Sequence, residues 1–145
     1  METKERFIQL IKKQIEIEKE NVRYVSETEK KVGNAAAKMS LLEIRLDSQK
    51  HVDILNGILE VLSGVPPSQT LWEYRLESYV DPLVVKRELE NHVKRETEML
   101  EHVEEEIKQT KDGGLKLLLQ HIADDERKHH KILETIVKHL YKISP

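Results

Sequence analysis

A glutamate and a histidine interrupt an apolar stripe in the last third of the chain. Positions 115, 119, 122, 126, 129, 133, 136 and 140 are all Leu or Ile except Glu126 and His129. Alternating steps of four and three residues place these positions on one face of an α-helix, so we expect both polar side chains to face the core. A buried unpaired carboxylate is costly and needs a hydrogen bond, an opposite charge or a metal ion.

Similar interruptions occur near the middle of the other apolar stripes. They are Glu18 in the first predicted helix, Ser48 and His51 in the second, and Glu96 in the third. Carboxylates and imidazoles bind iron, manganese and zinc, so we expect these side chains to converge on one buried, metal-binding layer. The predicted ligands are Glu18, His51, Glu96, Glu126 and His129. The alternative is a buried hydrogen-bond network that holds the helices in register without metal.

The chain repeats itself after 78 residues. This shift aligns 7–62 with 85–140 without a gap, and 15 of the 56 aligned pairs are identical, where composition alone would give about four. The repeat pairs Glu18 with Glu96 and His51 with His129, whereas Ser48 stands opposite Glu126. It predicts two copies of one helical hairpin.

Four long helices must position these residues. We predict them at about 4–32, 37–63 and 82–111, and from a turn at Asp112-Gly113-Gly114 to about 142. Gly33-Asn34 forms the first turn, and Asp81 caps the third helix ahead of Pro82. Hairpin 1 is then 4–63, the crossover is 64–81 and hairpin 2 is 82–142. Short, long and short connections predict an all-α four-helix bundle with one crossover, as a single domain over residues 1–145.

Two local features refine this prediction. Thr70 and Glu73 have the spacing of a capping box, which predicts a short helix at about 71–78 that lays Trp72 over an end of the bundle. Gly57 lies inside the second helix, where glycine costs roughly 1 kcal/mol relative to alanine. Such a glycine can mark a close approach of another backbone.

Composition excludes several classes of function. The 145 residues are 35% charged and 38% hydrophobic, which suits long amphipathic helices. A net charge of -3 and a pI near 6.2 argue against binding to nucleic acid. The chain has no cysteine, so thiolate metal sites and disulfides are excluded. Without a membrane span or a secretion signal, we expect a cytoplasmic protein.

The constellation resembles a known family. A Glu from each of two helices and a Glu-x-x-His from each of two others form the di-metal site of ferritin-like carboxylate proteins. This chain resembles that superfamily, rubrerythrin-like and ferritin-like bundles in particular, but has Ser48 where the first motif has Glu. The resemblance implies that Asp47 and Asp125 each accept a hydrogen bond from a ligand histidine of the opposite hairpin. An Asp four residues before a His can also bond it within its own helix.

The resemblance also implies a function, namely iron-dependent oxidoreduction of the ferroxidase or peroxidase type, with O₂ or peroxide as reactant. Mn or Zn can occupy the same ligands. Motif glutamates in this family commonly bridge two metals, so Ser48 leaves one or two ions as alternatives. Met99 stands where rubrerythrin-type peroxidases carry a further Glu, which disfavours the peroxidase.

No rubredoxin-like cysteine cluster is present, so the electrons for such an enzyme would come from another protein. The alternative from a different class is a non-catalytic bundle that buffers metal or binds a partner protein. A homodimer is compatible with either function.

Overall fold

Four α-helices account for most of the chain. The computed structural model describes residues 2–77 and 80–140. The helices are α1 (Glu2–Lys31), α2 (Ala35–Leu62), α3 (Pro82–Gln109) and α4 (Gly113–Leu140). The described residues contain no strand, so the all-α prediction is confirmed. In this part of the chain no helix combines the length and apolar character needed to cross a membrane.

Side-chain caps explain where three of the helices begin. Asn34 accepts a hydrogen bond from the Ala37 amide at 3.0 Å, and Asp81 accepts one from the Leu83 amide at 2.8 Å. Asp112 does the same for α4, because its Oδ1 accepts from the Gly114 and Leu115 amides at 2.8 and 3.1 Å. The predicted turn at 112–114 is therefore too long, because Gly113 and Gly114 already belong to the first turn of α4.

The chain divides into two compact units, Met1–Gln69 and Thr70–Pro145. In the first unit α1 packs against α2 to form hairpin 1. Its core joins Ile11 and Ile15 of α1 to Val52 of α2. Four further apolar side chains of α2 pack around this core: Leu55, Ile58, Leu59 and Leu62.

In the second unit α3 packs against α4 to form hairpin 2. Val103 of α3 and Ala123 of α4 are its buried apolar residues among those described. Ala123 is 1% exposed, whereas its neighbour Ile122, on the predicted apolar stripe, is 47% exposed. At this point of α4 the most buried position therefore lies one residue after that stripe. The same offset occurs in hairpin 1, where Val52 is buried and His51 is exposed.

The prediction of a short helix at 71–78 is wrong for the described part of that segment. Thr70 and Glu73 do form the capping box, with the Thr70 amide donating to Glu73 Oε1 at 2.9 Å. Only one turn follows, at 71–73, and residues 74–77 are not helical, while 78 lies outside the described residues. A single turn gains little against the cost of nucleation, and Leu76 is too exposed to anchor a longer helix.

Among the described residues, no other backbone closely approaches Gly57, so that prediction is wrong for this part of the chain. A Cβ built on it would meet no neighbouring described atom within 4 Å. Trp72 does find a partner within its own unit, because its indole ring stacks on the His139 imidazole of α4. The two ring centroids are 4.2 Å apart and the planes are inclined by 9°.

Candidate metal centre

Hairpin 2 gathers three of the predicted ligands at one point. Glu126 and His129 lie three residues apart on the same face of α4, and Glu96 faces them from α3. One ligand atom from each of these residues lies within 4.8 Å of the other two. His129 Nδ1 is 3.7 Å from Glu96 Oε1 and 3.6 Å from Glu126 Oε1. The structure thus brings together two carboxylates and one imidazole.

Both carboxylates of this triad are largely withdrawn from solvent. The Glu96 side chain is 14% exposed and that of Glu126 is 12% exposed, whereas His129 is 43% exposed. The Oε2 atoms of Glu96 and Glu126 are buried and have no hydrogen-bond partner among the described residues. A buried oxygen without a donor carries an uncompensated desolvation cost. While both acids are ionised, neither can donate to the other, so these two oxygens are left for a cation or a shared proton to compensate.

The pKa of Glu126 is raised by its burial next to Glu96. Burial raises the pKa of its carboxyl group, because the charged form loses hydration. The Glu96 carboxylate raises that pKa further, both as a hydrogen-bond acceptor for protonated Glu126 and by like-charge repulsion. Nearby His129 opposes the shift and lowers the pKa. Glu126 therefore keeps its proton to a higher pH than an exposed glutamate does.

The donor set fits a transition-metal ion. Two ligands bound to one ion at about 2.1 Å lie roughly 3.0–3.4 Å apart in octahedral or tetrahedral geometry. His129 Nδ1 is already within 3.6 and 3.7 Å of the two carboxylates. Small side-chain movements would therefore suffice to bind an ion. Mixed oxygen and nitrogen ligands suit iron, manganese and zinc.

A recess of about 420 Å³ opens beside Glu126. The recess borders the candidate site, since Glu126 forms part of its wall. Its other walls combine apolar and polar side chains from α3 and α4, namely Glu98, Met99, His102, Val103 and Ile122.

Hairpin 1 brings its two predicted ligands together in a different way. His51 Nδ1 lies 2.7 Å from Glu18 Oε2, which is a hydrogen bond donated by the imidazole because a carboxylate has no hydrogen to give. Ser48 is 5% exposed, and its Oγ accepts a hydrogen bond of 2.8 Å from Asn21 Nδ2. Each predicted polar position of hairpin 1 therefore has a hydrogen-bond partner within that hairpin.

Asn21 was missed by the sequence analysis. It lies three residues after Glu18 on α1 and holds the buried Ser48 hydroxyl. The repeat contained a signal that could have found it, because position 21 aligns with Met99, one turn beyond Glu96. A polar residue at one of these repeat positions and an apolar one at the other indicates that the two hairpins differ there.

Asp47 and Asp125 lie beside lysines of their own helices. Asp47 Oδ1 is 3.3 Å from Lys50 Nζ, and Asp125 Oδ1 is 3.9 Å from Lys128 Nζ. Both are exposed pairs of the i,i+3 type, which contribute little to stability. The hydrogen bond from a ligand histidine that the family resemblance implies for each Asp stays a prediction.

Comparisons of the chain with protein families, with curated proteins and with solved structures find no match. The geometry of the two hairpins therefore carries the functional conclusions that follow.

Proposed function

We propose that this protein binds a transition-metal ion, iron in the first place, through Glu96, Glu126 and His129, and uses it for oxidoreduction of the ferroxidase or peroxidase type. One observation carries the proposal. The Oε2 atoms of both glutamates are buried without a hydrogen-bond partner among the described residues, beside an imidazole whose ligand atom lies within 4.8 Å. Two buried carboxylates and one histidine form a negatively charged set of donors that a divalent cation would neutralise.

The distances in hairpin 2 favour metal binding over a structural hydrogen-bond network. His129 Nδ1 is 3.6 Å or more from either carboxylate, which is longer than a hydrogen bond. A structural network needs short, directed bonds, and the 2.7 Å bond between His51 and Glu18 in hairpin 1 has that character. The hydrogen-bond alternative therefore suits hairpin 1. In hairpin 2 it would rest on a proton shared by Glu126 and Glu96, without His129, and the metal proposal uses all three residues.

The donor types favour iron among the candidate ions. Two carboxylates with one imidazole suit iron or manganese, and zinc can occupy the same groups in vitro. Iron, when bound, supplies redox chemistry with O₂ or peroxide. The protein's own part is placement, since the two helices hold the three donors and the recess beside Glu126 admits a small reactant. Met99 and Ile122 give that recess apolar walls.

We also propose that the two hairpins pack as a ferritin-like four-helix bundle, with residues 64–81 as the crossover. The 78-residue repeat and the equal length of α2, α3 and α4, 28 residues each, support this arrangement. The repeat-related Ile44 and Ile122 are about half-exposed and would give each hairpin an apolar face for packing. In such a bundle Glu18 and His51 would approach the triad while staying hydrogen-bonded to each other. The convergence of all five residues is a prediction of this proposal, with the ion held by Glu96, Glu126 and His129.

Metal binding and turnover test the proposed function in one set of variants. Ferrous iron is titrated without oxygen into the wild type, Glu126→Gln and the control Glu101→Gln, which alters an exposed residue of α3. We expect Glu126→Gln to weaken binding by about 100-fold or more, above the effect typical of outer-sphere groups, and Glu101→Gln to bind normally. Oxidation of the bound iron by O₂ or peroxide is then followed in the same samples.

Equal iron binding by all three proteins, or none by the wild type, would contradict the proposed metal site. Tight binding without turnover would instead support the non-catalytic alternative, in which the protein buffers metal. An enzyme would also need an external protein as electron donor. Adding donor proteins and following reduction of the oxidised iron would reveal one.

A further inference from the structure

We infer that hairpin 1 is built to do without a metal ion, so that the chain binds a single ion in hairpin 2, and that Asn21 determines this difference. The inference rests on the proposed function, because it concerns the number of ions and the choice between two similar sites. It assigns a role to a residue that no sequence motif indicated. Asn21 acts by donating a hydrogen bond to Ser48 and does not contact the ion.

The polar groups of hairpin 1 satisfy each other. Asn21 Nδ2 donates to Ser48 Oγ at 2.8 Å, and Ser48 is buried. Glu18 accepts the hydrogen bond of His51 Nδ1 at 2.7 Å. The amide and the hydroxyl are neutral, so this hairpin offers one carboxylate, and that carboxylate is already compensated by an N–H donor. To bind a divalent cation, Glu18 would have to give up its hydrogen bond with His51. The polar layer of hairpin 1 would then supply only one negative charge to the ion.

The corresponding positions of hairpin 2 show the opposite condition. The repeat places Ser48 opposite Glu126 and Asn21 opposite Met99. In hairpin 2 the hydroxyl is thus replaced by a carboxylate, and its amide partner by a thioether that cannot donate a hydrogen bond. Two buried carboxylate oxygens then lack partners among the described residues, and these belong to Glu96 and Glu126. The two hairpins therefore differ in the charge that a cation would neutralise.

Asn21 matters because its amide would also donate a hydrogen bond to a carboxylate introduced at position 48. In Ser48→Glu the Asn21 Nδ2 donor lies within reach of the new side chain, since it already reaches the Ser48 hydroxyl. A hydrogen bond from the amide would occupy one of the lone-pair positions of that carboxylate and compete with a metal ion for it. Replacing Asn21 by Met, as in hairpin 2, removes that donor. Converting hairpin 1 into a metal site therefore requires both changes.

Anaerobic titration with ferrous iron tests the inference on the full chain. The proteins are the wild type, Ser48→Glu and the double variant Asn21→Met/Ser48→Glu, each checked for folding by a metal-free thermal melt. We expect one ion per wild-type chain and two per double-variant chain. In Ser48→Glu alone we expect the second ion to bind at least about tenfold more weakly than in the double variant, as for a perturbed ligand environment.

Two further variants separate this inference from the proposed function. Glu18→Gln should keep the single ion of the wild type, whereas Glu126→Gln should lose it. Two ions in the wild type, loss of the ion on Glu18→Gln, a single ion in the double variant, or equally tight second binding in Ser48→Glu would overturn the inference and leave the metal proposal standing. Absence of iron binding by the wild type would overturn the proposed function itself. If the double variant does not fold, the wild-type ion count and Glu18→Gln decide the question.

Discussion

Glu96 on α3 and Glu126 on α4 face each other with ligand atoms within 4.8 Å, and each keeps its Oε2 buried without a hydrogen-bond partner among the described residues. Two carboxylates this close repel each other when both are ionised, and burial adds to the cost. The metal-free protein must therefore protonate one of them or admit water. Folding stability and metal binding are consequently coupled at this pair.

Replacing Glu126 by Leu should separate metal binding from stability. An apolar side chain of similar size removes the repulsion, so metal-free Glu126→Leu should be as stable as the wild type or more stable. Iron at a hundredfold excess over Kd should raise wild-type stability by about 2.7 kcal/mol, and hence the Tm by several degrees. Glu126→Leu should lose that increment. Thermal melts of both proteins, with and without anaerobic iron, measure these effects.

The hydrogen-bond alternative predicts the reverse result for the same variant. If Glu126 held a structural network, its removal would leave its partners unsatisfied and lower stability by about 1–3 kcal/mol. A destabilised Glu126→Leu that melts at the same temperature with and without iron would therefore contradict the metal proposal. Glu101→Gln serves as the control for an exposed acidic position on α3.

The stability of the metal-free protein should fall as the pH rises through the titration of Glu126. Burial, and then Glu96, raise the pKa of this group, so the folded protein retains a proton that the unfolded chain has already lost. Between the ordinary pKa of a glutamate and the raised one, the folded state binds more protons, and rising pH favours unfolding. Urea denaturation of the wild type and Glu126→Gln across this window should show a decline in the wild type alone.

Iron affinity should change with pH in the opposite sense. A proton on Glu126 competes with the metal ion, so affinity should increase as the pH rises through the same window. Anaerobic titrations at several pH values provide the measurement. A wild-type affinity that does not vary with pH would show that iron displaces no proton from Glu126.

A bundle formed within one chain predicts a compact particle. A compact chain of 145 residues has a radius of gyration of about 15 Å. Small-angle X-ray scattering on dilute protein, with the mass fixed by light scattering, should give a value near this one for a monomer. A substantially larger radius at monomeric mass would mean that the hairpins do not pack on each other, and the bundle proposal would fail.

Replacing Gly57 by Ala should stabilise the protein. The residue lies inside α2, and a Cβ there would meet no neighbouring described atom within 4 Å. Alanine is favoured over glycine in a helix interior by about 1 kcal/mol, chiefly because the unfolded chain loses less entropy on folding. Chemical denaturation should show a gain approaching that value. A loss would reveal a neighbour of Gly57 in solution that leaves no room for the methyl group.

The Trp72–His139 stack can be followed by fluorescence. Trp72 is the one tryptophan of the chain, and its ring lies 4.2 Å from the His139 imidazole. Removing this ring in His139→Ala should expose the indole further and shift its emission to longer wavelength. His102→Ala, which alters a well-exposed histidine of α3, should leave the spectrum unchanged. Identical spectra for wild type and His139→Ala would show that the stack does not persist in solution.

The sequence by itself determined the features that depend on local geometry. The 3.6-residue period was enough to predict the helices to within a few residues, and the Asp81 cap followed from residue type. The meeting of Glu126 with His129 was also predictable, because residues three apart on a helix always share a face. The repeat added that Glu18 and His51 would hold positions equivalent to Glu96 and His129.

The tertiary structure alone decided which side chains meet across two helices. The hydrogen bond from Asn21 to Ser48 depends on the rotation and axial shift of α1 against α2. The burial of Ala123 in place of Ile122 depends in the same way on how α4 turns toward α3. These quantities result from many weak contacts summed along each hairpin, so no spacing within one helix can predict them. The contrast between a hydrogen-bonded hairpin 1 and a hairpin 2 whose Glu96 and Glu126 Oε2 atoms lack a partner among the described residues therefore became visible only in three dimensions.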